Sequence, residues 1–158
     1  MKSYVPKEFT IRALRDCPVE KIKMENPDDA AHYWRQQVQQ HPYFNPSAEC
    51  VIVLLVNTRR RLIGHHLVSI GLLDSVHVHP REVFRAAIIG AASAVLLMHN
   101  HPSGDPTPSE ADIKITRDLI RAGQLLKVEV LDHVIIGEIT PDRPKAHVSL
   151  RELGYFYS

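Results

Sequence analysis

The residues best suited to chemistry lie in one stretch, His99-Asn100-His101-Pro102, followed by Ser109 and Asp112. If the chain runs extended out of the apolar segment before it, alternate side chains share a face. His99 and His101 then point one way and Asn100 the other. Two imidazoles side by side at a strand end form a natural clamp for a divalent metal. Pro102, Gly104, Pro106 and Pro108 stiffen and bend the loop, so the first turn of the next helix comes back and Asp112 can add a carboxylate. Two His and one Asp leave a fourth tetrahedral position for water. That is the catalytic arrangement, whereas a closed structural zinc site uses four protein ligands, more often cysteines. Two plainer readings stand beside this one. The histidines could be a polar turn after a strand, and Ser109-Glu110-Ala111-Asp112 fits the helix-capping pattern S-x-x-[DE]. Capping and catalysis are compatible, because a cap would hold both residues rigidly.

The elements that must position these residues can be read from apolar patterning. Cys50–Val56 is a short, continuous, β-branched run, expected as a strand buried on both faces. A polar turn at 57–60 and a second strand at about Leu62–Ile70 make a hairpin. Val76–His79 is expected as a third strand, and Pro80 opens a helix through about Ala92. Ala94–Met98 is another buried-strand run. After the proline-rich loop, Ser109 caps a helix whose core side should hold Ile113, Leu119, Ile120 and Ala122, with Gly123 near its end. Val128–Gly137 is the last strand of the recognisable core. Upstream, Asn26-Pro27-Asp28-Asp29 reads as a helix start, with an N-cap, a proline at the first position and acids at the positive helix end. That helix carries Ala30, Ala31, Trp34 and Val38 and stops before Pro42. A short strand is expected around Phe9–Leu14. The pattern predicts a three-layer α/β domain with a mixed sheet.

Composition narrows the function classes. The chain has 158 residues, 44% of them apolar, 23% charged and 6% aromatic, which suits one compact domain. The longest run free of charged or strongly polar residues is Ala86–Met98, short of the ~20 residues needed to span a bilayer. No apolar h-region follows the N-terminus, so neither a secretory leader nor a membrane partner is expected. Cys17 and Cys50 lie far apart and form no C-x-x-C, which fits a reducing, cytoplasmic compartment. A net charge of +1 argues against a generally phosphate-binding surface, so DNA contact is expected to be weak or absent.

The spacing His99-x-His101-Pro102, seven residues, Ser109, two residues, Asp112 resembles the JAMM signature of the JAB/MPN metalloproteases. Glu49, directly before the buried run, matches the upstream glutamate of that family; on its own it would read as a solvated residue at a strand start. The strings His79-Pro80-Arg81-Glu82-Val83-Phe84, His99 to Pro106 and Asp132-His133-Val134-Ile135-Ile136-Gly137 look like the bacterial RadC (UPF0758) branch. The resemblance runs from about Pro46 to the end. It implies residues 1–45 as an N-terminal extension with one helix and 46–158 as a single three-layer α+β JAB/MPN domain, with a mixed, curved sheet and flanking helices. It further implies one zinc per chain on His99, His101 and Asp112, which would lower the pKa of a bound water towards ~7. Glu49 would be general base and then acid, and Ser109 would stabilise the oxyanion. The implied partner is a peptide or protein substrate. In related enzymes the cleaved bond is often an isopeptide, or one at the C-terminus of a ubiquitin-like protein. Full-length RadC proteins usually carry a helix-hairpin-helix module ahead of this domain, and the residues before Glu49 have no Gly-rich pattern of that kind. The alternatives are a DNA-processing accessory protein of the RadC kind and a catalytically silent MPN scaffold.

Other chemistry-bearing residues are expected to be quiet. Cys50 opens an apolar run and should pack as a small hydrophobe. Asp132 and His133 are neighbours on a strand and face opposite sides, so they form no triad; a supporting role behind the site suits them better. His65, His66, His77 and His79 are expected at the surface or in the hairpin, and Arg59-Arg60-Arg61 as a solvated turn. His99-Asn100-His101 is not an HNH nuclease motif, whose residues are spread along a ββα metal fold.

Overall fold

The alternation of apolar side chains along two central strands decides which residues reach which side of the sheet. A computed structural model of the protein describes residues 5–20, 22–71 and 78–157. Strand β1 (Glu49–Val56) sends Cys50, Ile52, Leu54 and Val56 to one face and Val51, Val53 and Leu55 to the other. Strand β3 (Ala94–Asn100) does the same, with Ala94, Leu96 and Met98 opposite Val95 and Leu97. All seven residues of β3 are buried, as expected of a strand covered on both faces.

Among the described residues five strands lie in the order β2-β1-β3-β4-β5, with β2 at Leu62–Gly71, β4 at Glu129–Ile136 and β5 at His147–Ser149. The β1/β2, β1/β3 and β4/β5 pairs are antiparallel and β3/β4 is parallel, so the sheet is mixed. The parallel pair requires a crossover, and helix α3 (Glu110–Leu126) supplies it. Helix α2 (Pro80–Ile89) and α3 cover one face through Val83, Phe84, Ala87 and Leu119. Helix α1 (Pro27–Tyr33), continued by a π-helical turn at Trp34–Val38, covers the other face with Ala30, Ala31, Tyr33, Trp34 and Val38. The helix of the N-terminal segment is thus one of the three layers. Asn26 and Asp29 cap it reciprocally, and Pro27 starts it.

Several expectations change. No strand forms at Phe9–Leu14; Phe9 is 85% exposed and Leu14 fully so, since among the described residues no strand pairs with this segment and no core surface covers it. Of the strand expected at Val76–His79, residues 76 and 77 lie outside the described residues. Val78 and His79 are not in a strand, and the His79 side chain accepts from Arg81 N–H to cap α2 instead. Helix α2 stops at Ile89, short of Ala92, with Gly90 as C-cap; a Cβ there would meet Leu55 Cδ1 at 2.9 Å. Helix α3 runs past Gly123 to Leu126; it buries Ile113 and Leu119 as expected, and Thr116 as well, while Ile120 and Ala122 are half-buried. Strand β5 was not foreseen. Among the described residues no helix is long and apolar enough to cross a membrane.

Candidate metal centre

Three elements converge at the C-terminal end of β3. The antiparallel register pairs Val51 with His99, which carries Glu49 on β1 to the level of His101. Both strands alternate, so Glu49, His99 and His101 fall on the face covered by α2 and α3. Asn100 faces the other way, where its Oδ1 accepts from Cys50 N–H at 2.8 Å and its Nδ2 donates to Ala48 O at 3.0 Å. The buried amide therefore locks β1 to β3 immediately behind the two histidines.

The third element is the first turn of α3. Ser109 Oγ accepts from Asp112 N–H at 3.1 Å, and Asp112 Oδ2 accepts from Ser109 N–H at 2.8 Å. This reciprocal cap fixes the carboxylate with Oδ1 3.3 Å from His99 Nε2 and Oδ2 3.1 Å from His101 Nε2. The two Nε2 atoms are 3.0 Å apart. A ligand atom from each of Glu49, His99 and His101 lies within 4.8 Å of the others. Because Ser109 Oγ acts as an acceptor in the cap, its own O–H remains a donor toward the cleft.

Protonation follows from the partners. His101 Nδ1 is 2.8 Å from the Asp105 carbonyl, which can only accept, so Nδ1 carries the proton and Nε2 presents a lone pair. That lone pair faces a carboxylate oxygen, and two acceptors at such a distance call for a cation between them. In the absence of a metal a proton serves: burial opposes the charged form of His101, but the hydrogen bonds to Asp112 and Asp105 prevail and raise its pKa. Asp112 is held ionised in spite of burial, chiefly by the imidazoles of His101 and His99 beside it, well below the usual carboxylate range. Burial raises Glu49, against the opposing pull of His99 and His101. One proton serves one pair, however, and here three pairs converge at 3.0, 3.1 and 3.3 Å. Ligands about 2.0–2.1 Å from a tetrahedral zinc stand about 3.3 Å from one another, so the donor set fits such an ion.

Behind the site, His99 Nδ1 is 2.8 Å from His133 Nε2, and His133 Nδ1 is 2.6 Å from Thr116 Oγ1. Asp132, on the opposite face of β4, accepts from Ser149 Oγ, Arg151 N–H and His133 N–H. The loop that carries His101 is pinned from outside by Arg143, whose Nη2 donates to Gly104 O at 2.8 Å and whose Nε donates to Glu138 O at 3.0 Å. Sequence reasoning missed Arg143, because its hydrogen bonds go to backbone carbonyls, which leave no mark in residue types, and its ion pair with Asp105 Oδ1 at 3.5 Å spans 38 residues. The site opens into a cleft of about 600 Å³ with Val51, Val78, Leu97 and Ile115 on its apolar side.

The family model for the RadC-like JAB domain matches residues 24–155. The chain belongs to that family. It is 41% identical over 149 residues to a UPF0758 protein of Caldanaerobacter subterraneus subsp. tengcongensis, covering 94% of this chain and 59% of that protein. It is also 44% identical over 122 residues to one of Alkaliphilus metalliredigens, at 76% and 50% coverage. One from Bacillus cereus is 39% identical over 137 residues, at 85% and 55%. The chain thus spans between half and three-fifths of the length of these relatives. In this RadC-like domain the five residues of the JAMM-type pattern, Glu49, His99, His101, Ser109 and Asp112, surround one cleft. His65 sits half-buried on β2 between Tyr33 and Tyr43, so it is an interior hairpin residue. Cys50 is fully buried, and burial pushes its thiol up to about 11.

Proposed function

We propose that the cleft holds one zinc on His99, His101 and Asp112 and hydrolyses an amide bond of a peptide or isopeptide substrate. The observation that supports this most is the convergence of two imidazole Nε2 atoms and a capped carboxylate at 3.0–3.3 Å, with Glu49 alongside. A bound zinc would supply Lewis acidity, acidifying a coordinated water and polarising the amide carbonyl. Glu49, whose proton affinity burial has raised, takes a proton from the attacking water and delivers it to the departing amine nitrogen. Ser109 donates its O–H to the carbonyl oxygen as that oxygen gains charge. His99, His101 and Asp112 hold their positions throughout, fixed by the strand register and the helix cap. Water adds across one amide bond, giving a carboxylic acid and an amine.

The cleft lining also favours an amide over a phosphodiester. Among the described residues that line it there is no lysine or arginine, and Glu49 and Asp112 both face the opening. A phosphate would meet two carboxylates and no fixed cation from the chain, so we propose that any DNA contact is weak and lies outside the cleft.

The test is Glu49→Gln. The amide keeps the size and an acceptor but takes up no proton at neutral pH. Zinc content should stay near one per chain while hydrolysis of a peptide or isopeptide substrate falls by ~10²–10⁴. Wild-type turnover in this variant would remove Glu49 from the reaction, and loss of zinc would make it a ligand.

A further inference from the structure

The motif that the proposed reaction leaves unused is His133. It is 1% exposed, as is Thr116, and His99 is 3% exposed. The three form a chain of hydrogen bonds whose direction can be worked out from its far end. Thr116 Oγ1 donates to the Asp112 backbone carbonyl at 2.7 Å, and a hydroxyl has only one proton. Toward His133 the same oxygen must accept, so the proton between them belongs to His133 Nδ1. A neutral imidazole carries one ring proton and leaves its other nitrogen as an acceptor. His133 Nε2 is then a lone pair, and the proton shared with His99 sits on His99 Nδ1. The remaining nitrogen of His99, Nε2, is left bare, facing His101 Nε2 and Asp112 Oδ1. His101 likewise carries a proton on Nδ1, directed at Asp105 O.

We infer that His133, backed by Thr116, is a positioning residue that fixes His99 in the Nδ1–H tautomer, so that its Nε2 is ready to ligate before any metal arrives. The inference rests on the metal-centre reading for its purpose, but the tautomer itself is a property of the metal-free chain. Partners of this kind typically change metal affinity 10–100-fold when removed. The arrangement also ties three of the site's parts together. Thr116 stands one helical turn after Asp112 and bonds its carbonyl, while His133 reaches across the parallel β3/β4 pair to His99.

The experiment has two independent readouts, the tautomer of His99 from long-range nitrogen–proton NMR spectra of metal-free protein, and zinc affinity from chelator competition. In the wild type His99 should be the Nδ1–H tautomer without metal. His133→Phe removes the acceptor and should shift His99 toward Nε2–H and weaken zinc 10–100-fold. His133→Gln should restore most of the affinity, since its carbonyl oxygen can accept from His99 and its amide can donate to Thr116. Should the Phe variant not fold, Thr116→Val, which is nearly isosteric, carries the test and should loosen the same tautomer. An Nε2–H tautomer in wild type, or equal zinc affinity in folded wild-type and Phe variants, overturns the inference. A protein that has the expected tautomers and binds no zinc refutes the metal-centre reading and leaves the hydrogen-bond chain standing.

Discussion

Replacing Gly137 by alanine should damage the metal loop from behind without touching any site residue. A Cβ at Gly137 would lie 2.3 Å from Gly104 O and 2.7 Å from Pro106 Cδ. Side-chain carbons do not approach closer than 3.0 Å, so the loop must retreat by about 0.7 Å. Its freedom to do so is small. Gly104 O already accepts from Glu138 N–H at 2.7 Å and from Arg143 Nη2 at 2.8 Å. Gly104 also sits at φ +84°, in the left-handed region. Retreat stretches both bonds; a neutral bond is worth about 1 kcal/mol and one to a charged donor ~1.5–3. Arg143 is partly solvated, so a total of roughly 2–3 kcal/mol is reasonable. For a chain of this size that corresponds to a fall in Tm of roughly 4–12 °C. The same displacement drags Asp105 O away from His101 Nδ1, now 2.8 Å apart. Loss of such a partner weakens metal binding ~10–100-fold. The assay is thermal unfolding of metal-free protein together with zinc affinity by chelator competition. Gly64→Ala is the control, since nothing lies within 4 Å of a Cβ there, and it should leave zinc affinity unchanged. Wild-type stability and zinc affinity in Gly137→Ala would refute the reasoning, because the loop would then yield without cost to His101.

Metal content should separate Asp112 from Asp132. Asp112→Ala should lose most of its zinc by elemental analysis, whereas Asp132→Asn should keep about one per chain, because Asp132 bonds Ser149, Arg151 and His133 on the far face; equal content in both would sink the ligand assignment. Stability should also fall in acid through His65. Burial first, then the charges of Arg15, His41 and His66, depress its pKa to about 4, so the unfolded chain takes up the proton first, near 6.5. The contribution is complete above about pH 6.5 and is lost as pH falls from there through about 4. Urea unfolding of wild type and His65→Gln across that window should show the steeper decline in wild type; parallel curves would exclude His65 as the source.

What could be read from the sequence was whatever a period or a cap encodes locally. The runs at Cys50–Val56 and Ala94–Met98 announce doubly covered strands, because apolar residues occupy both phases of the alternation, and both strands form. Ser109 and Asp112 announce a capping box, and it forms with both bonds present. Glu49 differs. Nothing local marks it, and its nearness to the histidines depends on an antiparallel register of two segments about fifty residues apart, so only the resemblance to the JAMM pattern pointed to it. Strand β5 is three residues long, too short to show alternation. The strand expected at Phe9–Leu14 lay in a segment with no firm period, and among the described residues no strand pairs with it.

His133 marks the boundary between these cases. Reasoning from strand alternation correctly sets it opposite Asp132 and rules out a triad, yet by itself that reasoning does not say which group His133 supports. The role comes from the parallel register of β3 and β4, which pairs Leu97 with His133 and His99 with Ile135. His133 is therefore offset by two residues from His99 on the same face, close enough for the rings to bond and clear of the cleft's open side. Helix α3 then closes the gap with Thr116. A single crossover thus delivers two groups at once, Asp112 from its first turn as the proposed ligand and Thr116 from its second as the anchor of the hydrogen-bond chain. This is why a parallel pair is useful in an otherwise antiparallel sheet. An antiparallel β4 could follow β3 through a tight turn, with no helix to carry either residue over the end of β3.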